Sequence, residues 1–416
     1  MARSKKKTTN WLSRIKAVGV ARLLICVIAG LVGTWLALAL AISGVTRIKA
    51  PAAALSFVAS DSVALASRAD QMFFASPKAP PPEVTKLARE ALANQAINAK
   101  ALRVLGYVAE TKGDSVMAEK YVRMAAKLSR REPGAQLWLI EAAARTGNIP
   151  QTLVHYDIAL RTKPDTQSIL YPRLLSAIDD KDIRTNLKPY IRAGNGWGAS
   201  FLFFANSNSQ NLPALVDLIV ETGGLTDPET AKNQELGLLG RLVNEGFFDQ
   251  ARRLYLQLPG ARAVRLTSTA FDASDIDDSL GAMGWTVSDD PDVGGAFSRT
   301  SGDRQVMLSL FANSATTRTV ASKLLYLKPG RYDFRAQLSM VNQGVSGFIK
   351  WQLRCPSVPS LGAIWSVQNS ARSTSSELSV PVSCPVQYLD LIASGGNGQT
   401  GLEATVASVA LVAARQ

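Results

Sequence analysis

Residues 23–46 form an uninterrupted apolar stretch, and this stretch constrains the fold more than any other feature of the sequence. It reads LLICVIAGLVGTWLALALAISGVT and carries no charged residue between Arg22 and Arg47. About 20 apolar residues in a helix are enough to cross the hydrocarbon core of a bilayer. We therefore predict a transmembrane helix over residues 23–46.

The basic charge of the chain is concentrated around this stretch. The formal net charge is +13, but residues 1–50 hold nine Lys or Arg and no acid, so the remainder has 37 basic and 33 acidic residues. Positive residues gather on the cytoplasmic side of single-pass proteins. The asymmetry predicts a cytoplasmic basic tail at residues 1–22, a bacterial inner-membrane location and a periplasmic bulk. It is a topology signal, so no nucleic-acid partner is expected.

A cleaved signal peptide is the alternative interpretation of the N-terminus. It has the same polarity, and the segment KAPAAALS at residues 49–56 offers small residues that a signal peptidase accepts. However, the apolar region of a signal peptide usually runs about 7–15 residues. The longer stretch in this chain favours an uncleaved anchor.

Residues 47–82 are predicted to be a periplasmic linker. The segment combines a short helical pattern near residues 61–74 with Pro77 and the proline run Pro80 to Pro82. Proline-rich segments act as semi-rigid spacers. We therefore expect a stalk with a semi-rigid end.

Residues 83–260 show helical periodicity, with a 34-residue repeat over about residues 85–178 and less regular spacing over residues 179–260. Gly113 and Gly147 are separated by 34 residues. Alanines recur at the same interval, at Ala91, Ala125 and Ala159. A 34-residue period is typical of tetratricopeptide repeats, and the segment resembles that family. The resemblance implies an α-solenoid of helical hairpins over residues 83–260, whose concave face binds protein partners.

Small residues stand where the two helices of such a hairpin approach each other. Gly106 is in the first helix, and Ala118 and Thr152 are in the second. Antiparallel helices pack at about 8–10 Å only if the side chains between them are small. Ile140 and Pro133 depart from the family pattern.

The chain contains a single histidine, His155. It lies in the second helix of a predicted hairpin, and the sequence around it shows no acid, serine or cysteine arrangement typical of catalysis. A metal site commonly needs a second histidine, which this chain does not have. We therefore interpret His155 as a structural residue.

From residue 264 to residue 414 the pattern changes to alternating apolar and polar residues with glycine-containing turns. In the segment LYLKPGRYDFRAQLSM, four apolar residues share one face of a predicted strand: Tyr332, Phe334, Ala336 and Leu338. About 150 residues of such strands without a long helix predict an all-β sandwich of the jelly-roll kind. The chain is therefore predicted to be multidomain, with one transmembrane helix, an α-solenoid and a C-terminal sandwich.

The C-terminal region also resembles a known group of sandwiches. Phe271-Asp272 opens it, Gly284-Trp285 follows, and the strand around Pro329-Gly330 has the pattern L-x-P-G-x-Y-x-F. This arrangement is similar to carbohydrate-binding modules and galactose-binding-like domains. The resemblance implies a polysaccharide ligand for residues 264–414, and it identifies no binding residue.

Two aromatic residues are candidates for stacking on sugar rings. Trp365 follows a Pro/Gly-rich loop, and Trp285 is the second candidate. Trp351 lies on the apolar face of its strand and is predicted to be part of the core. Aromatic rings present a large apolar face together with limited polarity, which suits this kind of contact.

Acidic residues offer a candidate calcium site. Asp275, Asp277 and Asp278 supply the hard oxygen ligands that calcium prefers. Their spacing does not fit an EF-hand loop, and solvated acidic turns are the alternative interpretation. Apart from this candidate calcium ion, no cofactor is expected.

Cys355 and Cys384 are the two cysteines of the exported region. An oxidising compartment permits a disulfide between them. Closing a loop of about 30 residues contributes about 3–4 kcal/mol in the chain-entropy model. We predict that this disulfide forms.

These features together predict a membrane-anchored periplasmic scaffold. The solenoid would hold a protein partner and the sandwich a glycan or another protein, in envelope polysaccharide assembly or export. Two alternatives stay open: an enzyme that acts on polysaccharide through carboxylates of residues 264–414, and a purely protein-docking subunit of a membrane complex. No Gly-x-Ser-x-Gly nucleophile motif is present, so we predict a binding protein.

Overall fold

The structure is a computed structural model of the 416-residue chain. The residues it describes are 11–192, 196–223, 228–276, 280–299, 305–342, 346–369 and 372–414. The chain forms two compact units, Met1–Leu170 and Tyr171–Gln416. We call them unit 1 and unit 2.

Unit 1 is helical. Its helices are α1 (Trp11–Thr46), α2 (Pro51–Phe57), α3 (Ser62–Ala75), α4 (Pro82–Asn94), α5 (Ala99–Thr111), α6 (Ser115–Leu128), α7 (Pro133–Arg145) and α8 (Ile149–Thr162), and α9 (Gln167–Ala177) crosses into unit 2. Asn98, Asp114 and Asn148 each accept a main-chain N–H at a helix start. Such caps satisfy amides that have no partner inside the helix.

The predicted helical hairpins are present in unit 1. Helix α7 begins 34 residues after α5, and α8 begins 34 residues after α6. The turns inside the two hairpins contain Gly113 and Gly147, whose φ values are 79° and 70°. Glycine adopts this left-handed conformation without steric cost. A Cβ on Gly106 would lie 2.6 Å from Val122 Cγ2, so the hairpin needs a small residue there. The tetratricopeptide assignment itself remains a resemblance.

Helix α3 belongs to the packed part of unit 1, although the sequence places it in a linker. Leu65, Ala69 and Phe73 share one face of α3 and pack in one core with residues of α4 and α5. The spacing of four residues explains this face, because residues i and i+4 lie one turn apart on a helix. The prolines that suggested a stalk have a local role instead, since Pro82 occupies the first turn of α4.

The apolar stretch lies in α1. Residues Arg22–Thr46 have a mean hydropathy of 2.5 and are long and apolar enough to cross a membrane. A signal sequence near the N-terminus has the same properties. The C-terminal end of α1 is not free, however, because Ala39 and Ser43 are buried in unit 1.

After the end of α9, the described part of unit 2 continues with five further helices. They are α10 (Lys181–Arg192), α11 (Gly198–Asn208), α12 (Leu212–Thr222), α13 (Pro228–Asn244) and α14 (Phe248–Tyr255). A short helix α15 (Ala273–Ile276) precedes the strands. Residues 193–195, part of the glycine-containing segment around Gly196, lie outside the described residues.

The rest of unit 2 is an antiparallel β-sandwich. Its strands are β1 (Trp285–Val287), β2 (Val293–Arg299), β3 (Val306–Ala312), β4 (Thr317–Leu325), β5 (Gly330–Val341), β6 (Phe348–Arg354), β7 (Ala363–Asn369), β8 (Ser373–Val380), β9 (Gln387–Ser394) and β10 (Leu402–Ala413). Sheet 1 has the order β1-β4-β9-β6-β7 and sheet 2 the order β2-β3-β10-β5-β8. Trp351 and Phe334 pack between the sheets with their rings 5.6 Å apart. The all-β prediction for this region is confirmed.

Helix α14 packs on the sandwich. The Tyr326 hydroxyl donates a hydrogen bond of 2.8 Å to the Phe248 carbonyl. The ring centroids of Phe248 and Tyr388, a residue of sheet 1, are 6.5 Å apart. The Arg252 guanidinium lies 5.8 Å from the Tyr326 ring centroid. The last helices and the sandwich are therefore parts of one unit, although the sequence separates them near residue 260.

Candidate functional site

His155 lies in helix α8 and is buried. Its Nδ1 is 2.9 Å from Gln136 Oε1, and its Nε2 is 2.9 Å from Gln151 Nε2. Because an amide oxygen only accepts and an amide nitrogen only donates, this pairing requires a neutral ring with the proton on Nδ1. Burial, and to a smaller extent the charge of Arg123, lowers the pKa of His155. The arrangement is that of a residue tying two helices together.

Cys355 and Cys384 are joined by a disulfide. Their Cα atoms are 5.6 Å apart across a sequence separation of 29 residues, and both side chains are buried. The bond connects the end of β6 to the segment before β9. The disulfide therefore joins the chain next to two neighbouring strands of sheet 1.

The candidate tryptophans are not brought together. Trp285 is in β1 and Trp365 in β7, which are the opposite edges of sheet 1. Trp285 is 3% exposed and its Nε1 donates to the Thr269 carbonyl, so its ring has no open face for a ligand. Trp365 is half-buried, with its ring 4.8 Å from that of Phe334. Trp351 is fully buried, as the sequence indicates.

The candidate calcium ligands are only partly described. Asp277 and Asp278 lie outside the described residues. Asp275 is buried, and its Oδ2 accepts the Asp272 main-chain N–H at 2.8 Å. Among the described residues, no three His, Cys, Asp or Glu side chains form a group that could hold a metal ion. The calcium site therefore remains a prediction.

Lys323 is a buried cation near Asp275. Its side chain is 0% exposed, and Nζ has no hydrogen-bond partner among the described residues. Burial lowers the pKa of Lys323 to about 8, opposed by the negative charge of Asp275 and assisted by the positive charge of Arg265. A divalent cation next to Asp275 would meet these two cationic side chains.

A groove lies on the outer face of sheet 2, and we call it the Phe311 groove. Its volume is about 540 Å³, which is in the range of ligand sites. Strands β2, β3, β10 and β5 and the loop between β1 and β2 form its walls. It is lined by Ser288, Asp289, Asp290, Pro291, Gly294, Gly295, Ala296, Ser309, Leu310, Phe311, Met340, Glu403, Ala404 and Thr405.

Phe311 provides the aromatic surface of this groove. Strand β3 alternates between buried and exposed residues, so that Leu310 and Ala312 face the core and Phe311 faces out with 37% of its surface exposed. A Cβ on Gly294 would lie 2.8 Å from Phe311 Cε1. The ring therefore lies over the glycine of the neighbouring strand, and it does so only because that residue has no side chain.

Gly295 has a different role from its neighbour. A Cβ at this position would lie 2.7 Å from the Ser309 carbonyl oxygen. The close atom belongs to the main chain of β3, so the strand itself would have to move. Glycine inside a strand often marks such a close approach.

Polar groups surround the exposed ring. Glu403 of β10 is the cross-strand partner of Phe311, and both are exposed. Ser309 Oγ and Thr405 Oγ1 lie 3.4 Å apart on the next row of the sheet. An apolar surface bordered by a few polar groups is the usual composition of a small-molecule site.

The loop at the rim of the groove is held by hydrogen bonds. Ser288 Oγ donates to the Val293 carbonyl at 2.9 Å, and the Asn313 main-chain N–H donates to the Asp292 carbonyl at 2.8 Å. Asp290 pairs with Arg318 at 2.5 Å. The rim is thus built into the sheet before any ligand binds.

Sequence reasoning missed this groove. The apolar residues of RQVMLSLFA occupy both faces of β3, since Met307 and Phe311 alternate with Val306 and Leu308. The pattern alone therefore does not identify the outward face. Two adjacent glycines inside a strand, Gly294 and Gly295, are the signal that points to it.

Unit 1 contains a second cleft, between α5 and α7. Its volume is about 600 Å³, and it is lined by Glu110, Trp138, Glu141, Ala144 and Arg145. Arg145 Nη1 is 3.1 Å from Glu110 Oε1, and its guanidinium lies 5.9 Å from the Trp138 ring centroid. The cleft combines an aromatic ring with charges of both signs.

Comparison with known proteins gives weak structural similarities. No family model and no curated protein matches the chain. A solved structure of CBM4 shares 15% identity over 36% of this chain and 88% of that chain, with a TM-score of 0.21. A structure from a study of promiscuous carbohydrate-binding modules of the β-sandwich superfamily shares 12% identity over 35% of this chain and 62% of that chain, with a TM-score of 0.24.

A third similarity is to a bacterial secretion factor. The structure of accessory secretory proteins 1, 2 and 3 of Streptococcus pneumoniae shares 10% identity over 29% of this chain and 87% of that chain, with a TM-score of 0.20. At these TM-scores the similarities fix neither a family nor a ligand for this chain. The sandwich itself is seen directly in its two sheets.

Proposed function

We propose that this protein is a membrane-anchored scaffold of the bacterial envelope that binds a glycan in the Phe311 groove. One observation carries the proposal: an aromatic ring is exposed on the outer face of a sheet, inside a groove, with carboxylate and hydroxyl groups beside it. The apolar faces of sugar rings stack on aromatic side chains, and their hydroxyl groups donate to carboxylates.

The groove suits a chain-like ligand. Its lining residues come from strands β2, β3, β10 and β5 and from the loop before β2, so a chain-like ligand laid across the sheet would contact several strands. The hydrogen-bonded rim limits the rearrangement that binding needs, which favours affinity. An accessory role in polysaccharide assembly or export is consistent with such a site on an anchored protein.

The anchor is supported by the contacts at the end of α1. Ser43 Oγ donates to Asp61 Oδ2 at 2.8 Å, while Asp61 Oδ1 accepts the main-chain N–H groups of Val63 and Ala64 at the start of α3. The end of the apolar helix is therefore part of the folded unit. Cleavage after this helix would remove a packed element.

A protein-docking role is the second candidate, and the cleft at Trp138 favours it. Tryptophan and arginine are the residues most enriched among energetic hot spots of interfaces. Here they lie together between two helices of the proposed tetratricopeptide-like region. On this proposal unit 1 holds a protein partner whichever ligand the sandwich binds.

The first prediction tests the groove. The full chain in detergent micelles is titrated with neutral, cationic and anionic oligosaccharides by calorimetry, and Phe311→Ala is expected to weaken binding by about tenfold or more because it removes the stacking surface. Val412→Ala is the control, since Val412 is 54% exposed on β10 of the same sheet and does not line the groove.

Three other outcomes would change the proposal. Binding that both variants retain would place the ligand elsewhere. Release of reducing sugar from a bound polymer, lost on changing one Asp, would support the enzyme alternative. No binding to any oligosaccharide, with capture of a defined envelope protein by the full chain, would leave the docking role.

A further inference from the structure

The Phe311 groove is acidic. Its lining includes the carboxylates of Asp289, Asp290 and Glu403, and none of its lining residues is basic. Asp290 is neutralised by Arg318. Asp289 and Glu403 are both exposed, and neither forms an ion pair with a described residue. Two negative charges of the groove are therefore open to a ligand.

These two carboxylates are placed on either side of the aromatic ring. Asp289 bridges to Gly294, Gly294 pairs with Phe311, and Phe311 pairs with Glu403. The four residues thus form one row across neighbouring strands, on the same face of the sheet. Because neighbouring strands are about 4.8 Å apart, the main chains of Asp289 and Glu403 are about 14 Å apart.

The row has a chemical consequence for a bound sugar. Directly opposed side chains on a sheet have Cβ atoms about 4.5–5.5 Å apart, so a ring stacked on Phe311 lies within reach of the Glu403 carboxylate. A protonated amine on that sugar would form a charge-assisted hydrogen bond with it. A uronate or phosphate at the same place would meet like charge.

We propose that the groove selects an amino-sugar polymer that carries free, protonated amines. This inference rests on the proposed glycan-binding function and specifies its ligand. A single metal ion does not explain the row, because side chains whose main chains are about 14 Å apart are too far from each other to share one ion. A neutral glycan would stack on the ring and donate hydroxyl hydrogen bonds, but it would bring no positive charge to the two carboxylates.

The test compares hexamers of three charges on the full chain in detergent micelles at about pH 6, where aliphatic amines are protonated. The probes are glucosamine hexamer, N-acetylglucosamine hexamer and mannuronate hexamer. We expect the glucosamine hexamer to bind about fivefold or more tightly than the acetylated one, since one exposed charge pair contributes on the order of 1 kcal/mol. The mannuronate hexamer should bind weakest.

Charge-neutral variants locate the selectivity. Glu403→Gln and Asp289→Asn should each reduce the preference for the amine by about twofold to threefold, and the double variant should abolish it. Glu377→Gln is the control. This substitution removes the same charge from β8 of sheet 2, at a residue that does not line the groove. Added salt should weaken the preference as well, because exposed charges are screened.

Each remaining outcome counts against one proposal or both. Equal affinity for the two glucosamine-based hexamers, or a preference that survives the double variant, would overturn the charge selection and leave glycan binding intact. Tightest binding of the mannuronate hexamer would do the same. Absence of binding for all three hexamers would overturn both. Binding of a lysine-rich peptide that Phe311→Ala does not weaken would show that the carboxylates serve a protein ligand.

Discussion

Lys323 shows how one residue can set the pH response of the sandwich. Its ammonium group is enclosed in unit 2 without a hydrogen-bond partner among the described residues. Because burial disfavours the charged form, the folded-state pKa is about 8, below the ordinary value of 10.5. At neutral pH the folded protein therefore keeps a proton at a cost in stability.

The second prediction concerns Lys323→Met. At pH 7 the variant should be more stable by up to about 3 kcal/mol, because it removes the buried charge. Between about pH 8 and pH 10.5 the unfolded chain holds this proton and the folded chain does not, so wild-type stability rises with pH and the advantage of the variant shrinks. The free energy of unfolding of both proteins is measured by urea titration with tryptophan fluorescence at pH 7.5 and at pH 10, and the difference between the two proteins should be smaller at pH 10.

Lys350→Met is the control for this experiment. Lys350 is on β6 of the same sheet, half-buried rather than enclosed. Its substitution removes the same charge from the same sheet at a position that is not enclosed, so an effect common to both variants reports the loss of a lysine in general. A pH-independent effect of Lys323→Met would show that Lys323 keeps its ordinary pKa in the folded protein.

The third prediction concerns His155 in unit 1. In the folded protein the pKa of His155 is lowered from 6.5, so below about pH 6.5 the unfolded chain binds a proton at this residue more readily than the folded chain does. Stability of unit 1 should therefore fall as pH decreases through this region. His155→Phe should be less stable than the wild type at pH 7, because Gln136 loses its partner, but its stability should depend less on pH from 7 to 5.

Circular dichroism melts of both proteins at pH 7 and pH 5 provide the measurement. The contrary result is an equal loss of stability in the two proteins on acidification. It would mean that carboxylates, and not the imidazole, dominate the acid response of the helices.

At the scale of elements, the junction between α1 and unit 1 leads to the fourth prediction. Because Ser43 and Asp61 join α1 to α3, the chain extracted from membranes should keep its full mass of 44.5 kDa. Mass spectrometry of the purified protein decides this. A soluble form that lacks about the first 50 residues would instead show that the apolar helix is a cleaved signal.

Helix ends and strand faces were the most predictable elements. Gly113 and Gly147 marked turns because only glycine takes their left-handed conformation at no cost. Ile349, Trp351 and Leu353 alternate with polar residues in β6, and all three are buried. Both features depend only on the conformation and side-chain direction of a few neighbouring residues, so the sequence is enough to predict them.

Other elements depended on contacts that no local pattern shows. The Thr269 hydroxyl donates to the Val409 carbonyl across 140 residues, and β10 lies between β3 and β5. Such pairings are chosen by packing of the whole sandwich. For the same reason the sequence suggested Trp285 as a ligand-binding residue although it lies in the core, and it did not suggest Phe311, which faces out.

At the scale of the whole molecule, the division at Leu170/Tyr171 predicts how the chain unfolds. The fifth prediction is that residues 171–416 unfold as one cooperative body, and that residues 261–416 alone have a lower unfolding midpoint. The shorter fragment loses the Tyr326 to Phe248 hydrogen bond and the ring contact of Phe248 with Tyr388. Losses of this kind cost about 1–3 kcal/mol.

Calorimetry of the two oxidised fragments makes the comparison. Tyr326→Phe in the longer fragment is the matched variant, since it removes only the hydroxyl and should cost about 1 kcal/mol. Equal midpoints for the two fragments would mean that the helices contribute nothing to the sandwich and that the boundary near residue 260 is the real one.

The packed end of α1 also sets how far an anchored protein can reach. A flexible linker of the length of residues 47–82 would have a root-mean-square end-to-end distance of roughly 30 Å, so the folded part could lie that far from its anchor. Here Ser43 is buried and hydrogen-bonded to Asp61, so the C-terminal end of α1 is packed against the rest of unit 1 and no flexible linker separates them. On the proposed anchored role, a protein partner of unit 1 would be met at the membrane surface, at a fixed height and a high local concentration.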